Sequence, residues 1–318
     1  MRRGSAVFCL LLVYAAAFAQ PWPVRPVRVI VAFSPGGVTD IIARTMAPKL
    51  SEMWGQPVVV ENRAGAGGSV GAVAVARAPA DGYVLLVHSS GYALNPAINA
   101  SLPYDYKSDF VDVAPLASQP MVLVVSPASG ITSLAELVAM AKARPGQVSY
   151  GSAGIGSGAH FNSEKFRIAA GIEALHVPYK GGADAIHDTI AGRLTFTINT
   201  ITLALPHIRE HRLVPLGVSS VQRSSLLPDT PTIAETVVPG FEFTFWNGLW
   251  APAGTPPAVV EKIARDLGRV IALPDVRERL ASLGADPMSM SPAEFSRFVR
   301  SEIEDSARIA RAAGIKLQ

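Results

Sequence analysis

Three segments rich in glycine and serine contain the residues best suited to binding a small anion. Each follows a run typical of a β-strand and precedes a predicted helix or bend. At the carboxyl end of a strand such a turn leaves backbone N–H groups unpaired, and the start of a helix adds the positive end of its dipole. An anion can therefore bind there without a lysine or arginine. The segments are Ser34–Gly37, Ser89–Tyr92 and Ser152–Ser157.

Two glycine patterns match the residue types and spacing of catalytic or cofactor-binding motifs, but not the sequence context that these motifs require. Gly67–Gly71 has the spacing of a nucleophile elbow around Ser69, but the preceding segment Glu61–Ala66 is charged and turn-like, where an elbow needs a strand. Gly154 and Gly156 follow a strand as in a dinucleotide-binding turn. The acid expected about 20 residues later has no good candidate beyond Glu173, which precedes a strand.

The histidines and the single cysteine indicate no metal or acid–base site. Of the 6 histidines, only His207 and His211 have helical spacing; Glu210 lies between them, but the spacing offers no third ligand. His160 begins a helix after a glycine turn, which favours a capping or packing role. Cys9 lies in an amino-terminal apolar run, so it should be removed with that run. We therefore expect no catalytic residue, no metal, no disulfide and no cofactor.

The amino terminus has the pattern of a secretory signal peptide. Arg2 and Arg3 precede the apolar run, and Ala17–Ala19 forms a small-x-small cleavage site before Gln20. The run is shorter than the roughly 20 residues that span a bilayer. We expect cleavage after Ala19 of a signal peptide that comprises residues 1–19; a retained membrane anchor is the alternative.

Composition and charge indicate a folded protein without a polyanionic partner. The chain has 318 residues, of which 49% are hydrophobic and 17% are charged, so it is long enough for two lobes. Its 28 basic and 25 acidic residues give a net charge of +3. Without the two leader arginines the charge is 26 − 25 = +1. Nucleic-acid binding is therefore not predicted.

The elements that must position the three turns alternate between strands and helices. Helical spacing at Ile41–Leu50 lies between two β-branched runs, which is typical of an α/β protein with mainly parallel sheets. Ser133 with Glu136, and Ser291 with Glu294, have the spacing of capping boxes. Strands are predicted at Val27–Ala32, Val58–Glu61, Tyr83–His88, Met121–Ser126, Val148–Gly151, Leu175–Val177, Thr195–Ile198, Leu213–Val218 and Leu249–Ala251.

Two extended apolar segments, Leu116–Pro127 and Phe243–Pro257, are predicted to cross between two lobes. Two crossings imply a hinge and an interrupted first lobe. Lobe 1 would comprise residues 20–125 and 246–318, and lobe 2 residues 126–245. One glycine turn alone is usually structural, but three on a two-lobed α/β chain favour a ligand cleft, because ligands of such sheets bind beyond the strand carboxyl ends.

The order and spacing of several longer segments resemble the Bug receptors, the periplasmic solute receptors of tripartite tricarboxylate transporters. The resemblance extends over nearly all of the mature chain. The segments that carry it include PGGVTDIIAR (Pro35–Arg44), GQPVVVENRAGAGG (Gly55–Gly68), YGSAGIGSGAH (Tyr150–His160), VPYKG (Val177–Gly181), RSSLLPDTPTIAE (Arg223–Glu235) and WNGLWAPAGTP (Trp246–Pro256).

This resemblance implies a periplasmic binding protein of the type II-like fold, in which each lobe is a mainly parallel sheet flanked by helices. It implies a non-catalytic, monomeric receptor that closes on a small organic acid, amino acid or related solute and delivers it to integral membrane transporter subunits. Backbone amides, hydroxyl groups and ordered water would hold the ligand. The implied ligand-binding residues are Ser34, Gly36, Gly37, Asp40, Ser89, Ser90, Tyr92, Ser152, Ala153, Gly156, Ser157, Asn199 and Trp246.

Some assignments stay open at this point. Asp40 could contact the ligand or cap a helix. Asn199 stands where the family often has an acid, and our hypothesis is that an amide there disfavours amino acids. Two other function classes remain: a secreted serine hydrolase that uses Ser69 or Ser157, and a ligand sensor that docks to a membrane signalling partner.

Overall fold

The computed structural model of the chain describes residues 22–99 and 101–312. The predicted signal peptide, with Cys9 and the cleavage site after Ala19, lies outside these described residues. Each helix of the described residues is too short or too polar to cross a membrane.

Strands and helices alternate along the described residues, as the sequence predicts. The strands are β1 (Val27–Val31), β2 (Val58–Asn62), β3 (Val84–Ser89), β4 (Phe110–Val125), β5 (Ser149–Ser152), β6 (Leu175–Pro178), β7 (Phe196–Thr200), β8 (Val214–Val218), β9 (Thr244–Pro252) and β10 (Asp286–Pro287). The helices are α1 (Val38–Trp54), α2 (Ser69–Ala76), α3 (Gly91–Ile98), α4 (Leu134–Ala143), α5 (Gly158–Ala169), α6 (Gly182–Ile190), α7 (Ile201–Arg209), α8 (Ile233–Thr236), α9 (Pro257–Ile271), α10 (Pro274–Ser282) and α11 (Pro292–Ala312). Every predicted strand overlaps an observed one, and the α/β class is confirmed.

The strand order is β2-β1-β3-β9-β4-β7-β5-β6, and β8 and β10 also pair with β4. β1 is parallel to β2 and β3, and β5 is parallel to β6 and β7. β9 and β4 are antiparallel to their neighbours. The prediction of parallel strands is therefore confirmed for the outer parts of the sheet, while the two predicted crossings are themselves central antiparallel strands.

The long strand β4 connects the two parts of the sheet. Its residues Phe110–Pro120 pair with β9, and its residues Met121–Val125 pair with β7 and β8. We call the part with β1–β3, β9 and β10 lobe 1, and the part with β5–β8 lobe 2. The partner of β4 therefore changes from β9 to β7 and β8 between Pro120 and Met121. The domain limits predicted from the sequence, at residues 125 and 245, stay a prediction.

The buried strands are apolar because helices cover both of their faces. In β1, Val29 and Val31 pack with α1, while Ile30 packs with Ala72 and Val75 of α2. A strand buried in this way suits the interior of a parallel sheet, and its carboxyl end is then the free edge where a loop can bind a ligand.

The two predicted capping boxes are realised to different extents. At the start of α11, Ser291 N donates to the Glu294 carboxylate at 2.8 Å and Glu294 N donates to Ser291 Oγ at 3.3 Å, so this box is confirmed. At α4, Glu136 N donates to Ser133 Oγ at 3.2 Å. The Glu136 carboxylate, however, accepts from Thr132 N at 2.7 Å, one residue earlier than a capping box requires.

Candidate ligand-binding site

Four helix amino termini meet at one cavity between the lobes. α1 follows β1, and α5, α6 and α7 follow β5, β6 and β7, so each helix begins just beyond the carboxyl end of a strand. The cavity is narrow, with a volume of about 30 Å³. It is lined by Phe33, Gly37, Val38, Thr39, Ser89, Met121, Ala153, Ser157, Ala159, Gly182, Asn199, Thr200, Leu203 and Phe245.

Three of these helices begin without a side-chain cap. In the described structure, the N-cap residues Gly37, Gly181 and Thr200 make no side-chain hydrogen bond to the first turns of α1, α6 and α7. The first N–H groups of a helix have no partner within the helix. α5 differs, because Ser157 Oγ accepts from His160 N at 3.2 Å. The uncapped termini therefore direct N–H groups and positive dipole ends toward the cavity.

The cavity wall combines hydroxyl and amide groups with an apolar surface, and its lining residues include no charged side chain. Ser89, Ser157 and Thr200 bring hydroxyl groups, whereas Met121 and Phe245 belong to the apolar part. An anion in this cavity would be stabilised by helix termini, backbone N–H groups and these hydroxyl groups, without a cationic side chain. The lining residues include no lysine or arginine that could select a negatively charged ligand.

Asp40 braces the first turn and does not line the cavity. Its carboxylate accepts from Gly36 N at 2.9 Å, Arg44 Nε at 2.9 Å and Asn62 Nδ2 at 2.8 Å. Burial opposes ionisation of Asp40, but these three hydrogen bonds hold the pKa of its carboxyl below the ordinary value. Of the two roles predicted for Asp40, its contacts fit the helix-start role, in which it holds Gly36 and the turn in place.

Tyr92 and Trp246 lie in an aromatic cluster and are not among the residues that line the cavity, so their ligand contact stays a prediction. The Tyr92 hydroxyl donates to Tyr106 O at 2.9 Å, and its ring stacks on Trp250 with 4.2 Å between centroids. Trp246 Nε1 donates to Glu302 at 2.9 Å. Side chains alternate along β9, so Trp246 faces away from the cavity that its neighbour Phe245 lines.

Of the other residues predicted to bind the ligand, some line the cavity and the rest lie in the same turns without lining it. Gly37, Ser89, Ala153, Ser157 and Asn199 line the cavity. Ser34, Gly36, Ser90, Ser152 and Gly156 belong to the same three turns but lie outside the lining. Ligand contact by any of these residues stays a prediction.

Asn199 connects the starts of two helices. Its Nδ2 donates to Gly182 O at 2.9 Å, and its Oδ1 accepts from Thr200 N at 3.0 Å. An aspartate could accept from Thr200 N but could not donate to Gly182 O. The amide therefore makes one contact between the two helix starts that an aspartate could not make, in addition to any effect on ligand choice.

The lobes approach each other closely at several glycines, including Gly181 and Gly67. A Cβ added to Gly181 would lie 2.9 Å from Ser34 Cβ. A Cβ added to Gly67 would lie 1.8 Å from Ile155 O. The glycine pattern around Ser69 thus allows close contact between the lobes, and Ser69 Oγ accepts from Asn95 Nδ2 at 3.4 Å.

Comparison with known proteins agrees with this architecture. The sequence model described as "Tripartite tricarboxylate transporter family receptor" matches residues 42–315. The chain belongs to this receptor family.

Three solved structures are similar to the receptor over most of its length. "R. palustris Rpa4515 with adipate" is 35% identical with a TM-score of 0.89, covering 93% of this chain and 100% of that one. The periplasmic binding protein BugD is 32% identical with a TM-score of 0.89, covering 93% and 100%. MatC (Rpa3494) from Rhodopseudomonas palustris with bound malate is 31% identical with a TM-score of 0.87, covering 91% and 99%.

Sequence reasoning missed part of the receptor's cavity wall. Gly181 and Gly182 at the start of α6 form a fourth glycine turn after a strand, and the rule used for the other three turns could have found it. The apolar residues Met121, Leu203 and Phe245 are harder to predict. They are typical core residues, and only the tertiary structure shows that the core opens beside them.

Proposed function

We propose that this receptor binds a small carboxylate in the interlobe cavity and delivers it to membrane transporter subunits in the periplasm. The observation that carries the proposal is the convergence of uncapped helix amino termini on a cavity without charged side chains. Such termini hold carboxylates through N–H groups. Two structurally similar proteins contain adipate and malate, which supports the same ligand class.

Binding would couple the two lobes. α1 and Ser89 contribute from lobe 1, whereas α5, α6 and α7 contribute from lobe 2. A carboxylate bound by both lobes has more contacts in the closed state than in an open one, so it shifts the population toward closure. The apolar wall at Met121, Leu203 and Phe245 would accept the carbon chain of the ligand and keep water away from the carboxylate.

We further propose that the receptor is not an enzyme. The Ser157 hydroxyl accepts from the backbone N–H of His160, and the Ser69 hydroxyl accepts from Asn95. Among the described residues, neither serine that the hydrolase alternative names therefore has a hydrogen bond to a histidine ring. Ser152 Oγ does lie 2.7 Å from His176 Nε2. Burial lowers the pKa of His176 to about 3, which makes it a poor general base near neutral pH.

The location and assembly of the receptor belong to the same proposal. Family membership and BugD support a periplasmic protein. Signal-peptide cleavage after Ala19, a monomeric state and delivery to specific transporter subunits are the finer expectations. A sensor that docks to a membrane signalling partner would use the same cavity, and ligand-dependent pull-down of a membrane partner separates the two roles.

Thermal melting with a set of carboxylates tests the proposed function. The mature chain, residues 20–318, is unfolded and refolded to remove any carried ligand, then melted with adipate, malate, tricarboxylates, monocarboxylates and amino acids. A ligand at 100 times its dissociation constant adds about 2.7 kcal/mol to the free energy of unfolding. A rise in the midpoint with a carboxylate class supports the proposal. A protein that melts cooperatively at the same temperature with every carboxylate contradicts it.

A further inference from the structure

Three aromatic rings stack beside the third glycine turn. The rings of Tyr150 and His176 have centroids 5.0 Å apart, and those of His176 and His160 are 4.0 Å apart, with an interplanar angle of 17° in both pairs. His160 is 1% exposed in the first turn of α5. The sequence pattern predicts only a packing or capping role for His160 and indicates no role for His176.

Each histidine holds one residue of the turn. Ser152 Oγ lies 2.7 Å from His176 Nε2, and Gly156 N donates to His160 Nδ1 at 3.3 Å. Since His160 Nδ1 accepts a hydrogen bond, it carries no proton, and the neutral ring is protonated at Nε2. Burial lowers the pKa of His160 to about 4, so the neutral form dominates at neutral pH.

A single peptide plane connects His160 with the opposite lobe. Ser157 N donates to Gly154 O at 3.1 Å, and Gly156 has φ +82°, the left-handed conformation typical of the third position of a type II turn. The N–H of the Ile155–Gly156 peptide faces His160 within lobe 2. The carbonyl oxygen of the same peptide faces Gly67 of lobe 1, where an added Cβ would lie 1.8 Å away.

We propose that neutral His160, stacked on His176, fixes the orientation of the Ile155–Gly156 peptide and thereby positions the third turn for closure on Gly67. Protonation of His160 releases this peptide and opens the cleft. His160 is thus a positioning residue. The inference deepens the proposed function and rests on it, because the closed cleft is the state that binds the ligand.

The chemistry of the ring gives the direction of the effect. A protonated His160 has an N–H at Nδ1 and can no longer accept from Gly156 N. Rotation of the peptide would present the Ile155 carbonyl oxygen to Nδ1–H and turn it away from Gly67. A second proton on His176, stacked 4.0 Å away, would be opposed by like-charge repulsion.

Burial has the largest effect on the pKa of His160, and the other ionisable groups near its ring change this pKa less. On α5, the Glu164 carboxylate raises the pKa of His160 and the Arg167 guanidinium lowers it, and these two form an ion pair at 2.7 Å. The Tyr150 hydroxyl of β5 donates to Glu164 at 2.6 Å. The sequences of α3 and β7, which also pack on α5, contain no charged residue, and the Tyr92 hydroxyl of α3 donates to Tyr106 O.

Two substitutions separate the positioning role from simple packing. In His160→Asn, the side-chain oxygen can replace Nδ1 as acceptor for Gly156 N but does not titrate. In His160→Leu, the volume is kept and the acceptor is lost. At pH 7 we expect the asparagine variant to bind the carboxylate probe, adipate or malate, within about threefold of the native affinity. We expect the leucine variant to bind at least about tenfold more weakly.

The dependence of ligand affinity on pH distinguishes a positioning role of His160 from a purely structural one. If only the neutral form closes, protonation with a pKa of about 4 weakens binding by about tenfold at pH 3. Titration of the probe's own carboxyl groups affects native protein and His160→Asn equally, so the ratio of their affinities isolates His160. Near-UV circular dichroism at each pH checks that both proteins stay folded. An equal acid-side loss in the asparagine variant would overturn the proposal.

A ligand-free measurement decides the proposal independently of the proposed function. In protein labelled with ¹⁵N-glycine, the amide signals of Gly156 and Gly67 should titrate with the midpoint of the His160 ring, and neither should do so in His160→Asn. A Gly67 signal that does not follow His160 contradicts the coupling to the opposite lobe. Failure of every carboxylate to bind native protein would defeat the proposed function, while these two glycine signals would still test the role of His160.

Discussion

Asn199 uses both ends of its side-chain amide to hold the backbone where α6 and α7 begin. An acid at this position would have two effects, a lost hydrogen bond and an added negative charge, and two variants can distinguish them. Asn199→Asp loses the donor to Gly182 O and adds a negative charge to the cavity wall. Asn199→Ala loses both hydrogen bonds but adds no charge, so it is the matched control.

We expect Asn199→Asp to bind adipate or malate at least tenfold more weakly than Asn199→Ala. Two like charges about 4 Å apart repel each other by about 4 kcal/mol at an effective dielectric constant of 20. The aspartate variant should also gain affinity for amino acids relative to carboxylates, since it can pair with an α-amine. Isothermal titration calorimetry of both variants checks this. Equal affinities of the two variants for the carboxylate would contradict the prediction.

At the residue scale, the sequence predicts which turns form the site better than which side chains face it. Ser89, Ser157 and Asn199 were expected at the cavity and line it. Phe245 and Trp246 are adjacent in sequence, yet only Phe245 lines the cavity. To distinguish them, one must know on which face of β9 each side chain lies. The sequence predicts a strand only at Leu249–Ala251, which does not reach Phe245 or Trp246.

The start of α1 shows what a helix contributes as a whole element. Val38 is the first residue of α1, and Gly37 before it has φ −71° and ψ 161°, an extended conformation that a following proline tolerates. Proline is favoured at the first helical position because its missing N–H has no partner within the helix. Val38→Pro therefore removes one N–H from the cavity while the helix is retained.

We predict that Val38→Pro weakens carboxylate binding by about 10- to 100-fold relative to Val38→Ala, which truncates the same side chain and keeps the N–H. This range corresponds to the loss of one hydrogen bond to a charged group, about 1.5–3 kcal/mol. Calorimetry gives the affinities, and far-UV circular dichroism checks the helix content. Matching affinities of the two variants would mean that the first N–H of α1 does not contact the ligand.

At the element scale, β-branched runs predict the buried parallel strands well because both of their faces are covered. For the long strands β4 and β9, the sequence predicts only the short strands Met121–Ser126 and Leu249–Ala251 within extended crossings. Proline lacks an N–H and argues against a central strand, and β4 contains Pro115 and Pro120. The structure accommodates Pro115 beside a shift in register between Pro115 and Ala117, and Pro120 at the end of the pairing with β9.

For the whole molecule, two buried histidines, His88 and His160, and the partly buried His176 make stability depend on pH. Burial lowers the pKa of His88 and His160 to about 4 and that of His176 to about 3, from an ordinary value of 6.5. Between pH 6.5 and 4 the unfolded chain therefore binds more protons than the folded one. The free energy of unfolding should fall as the pH decreases through this window, by about 1.4 kcal/mol per pH unit for each histidine.

Urea denaturation at pH 7, 6, 5 and 4.5 measures this dependence. Asp112 and Glu302, whose pKa values burial raises, act in the opposite direction, so the comparison with His160→Asn is the decisive one. The asparagine variant should lose less stability on acidification than the native protein. Identical slopes for the two proteins would show that His160 is not held neutral in the folded state.

Closure of the two lobes depends on the contact between Gly67 and Ile155, which can be tested with a matched pair of glycines. Gly67 and Gly55 both have φ +62°, so alanine at either position has a similar backbone cost of about 1–2 kcal/mol. An added Cβ at Gly55 meets nothing within 4 Å, whereas at Gly67 it would lie 1.8 Å from Ile155 O.

Gly67→Ala should therefore hold the lobes apart, while Gly55→Ala should not. We expect the Gly67 variant to bind adipate or malate at least tenfold more weakly than the Gly55 variant, because a ligand that contacts both lobes loses part of its contacts when closure is blocked. Small-angle scattering should show that ligand no longer reduces its radius of gyration. If Gly67→Ala still contracts with ligand as Gly55→Ala does, the turn at Ile155 can move aside at little free-energy cost. The closed state would then depend on other close approaches between the lobes, such as that of Gly181 to Ser34.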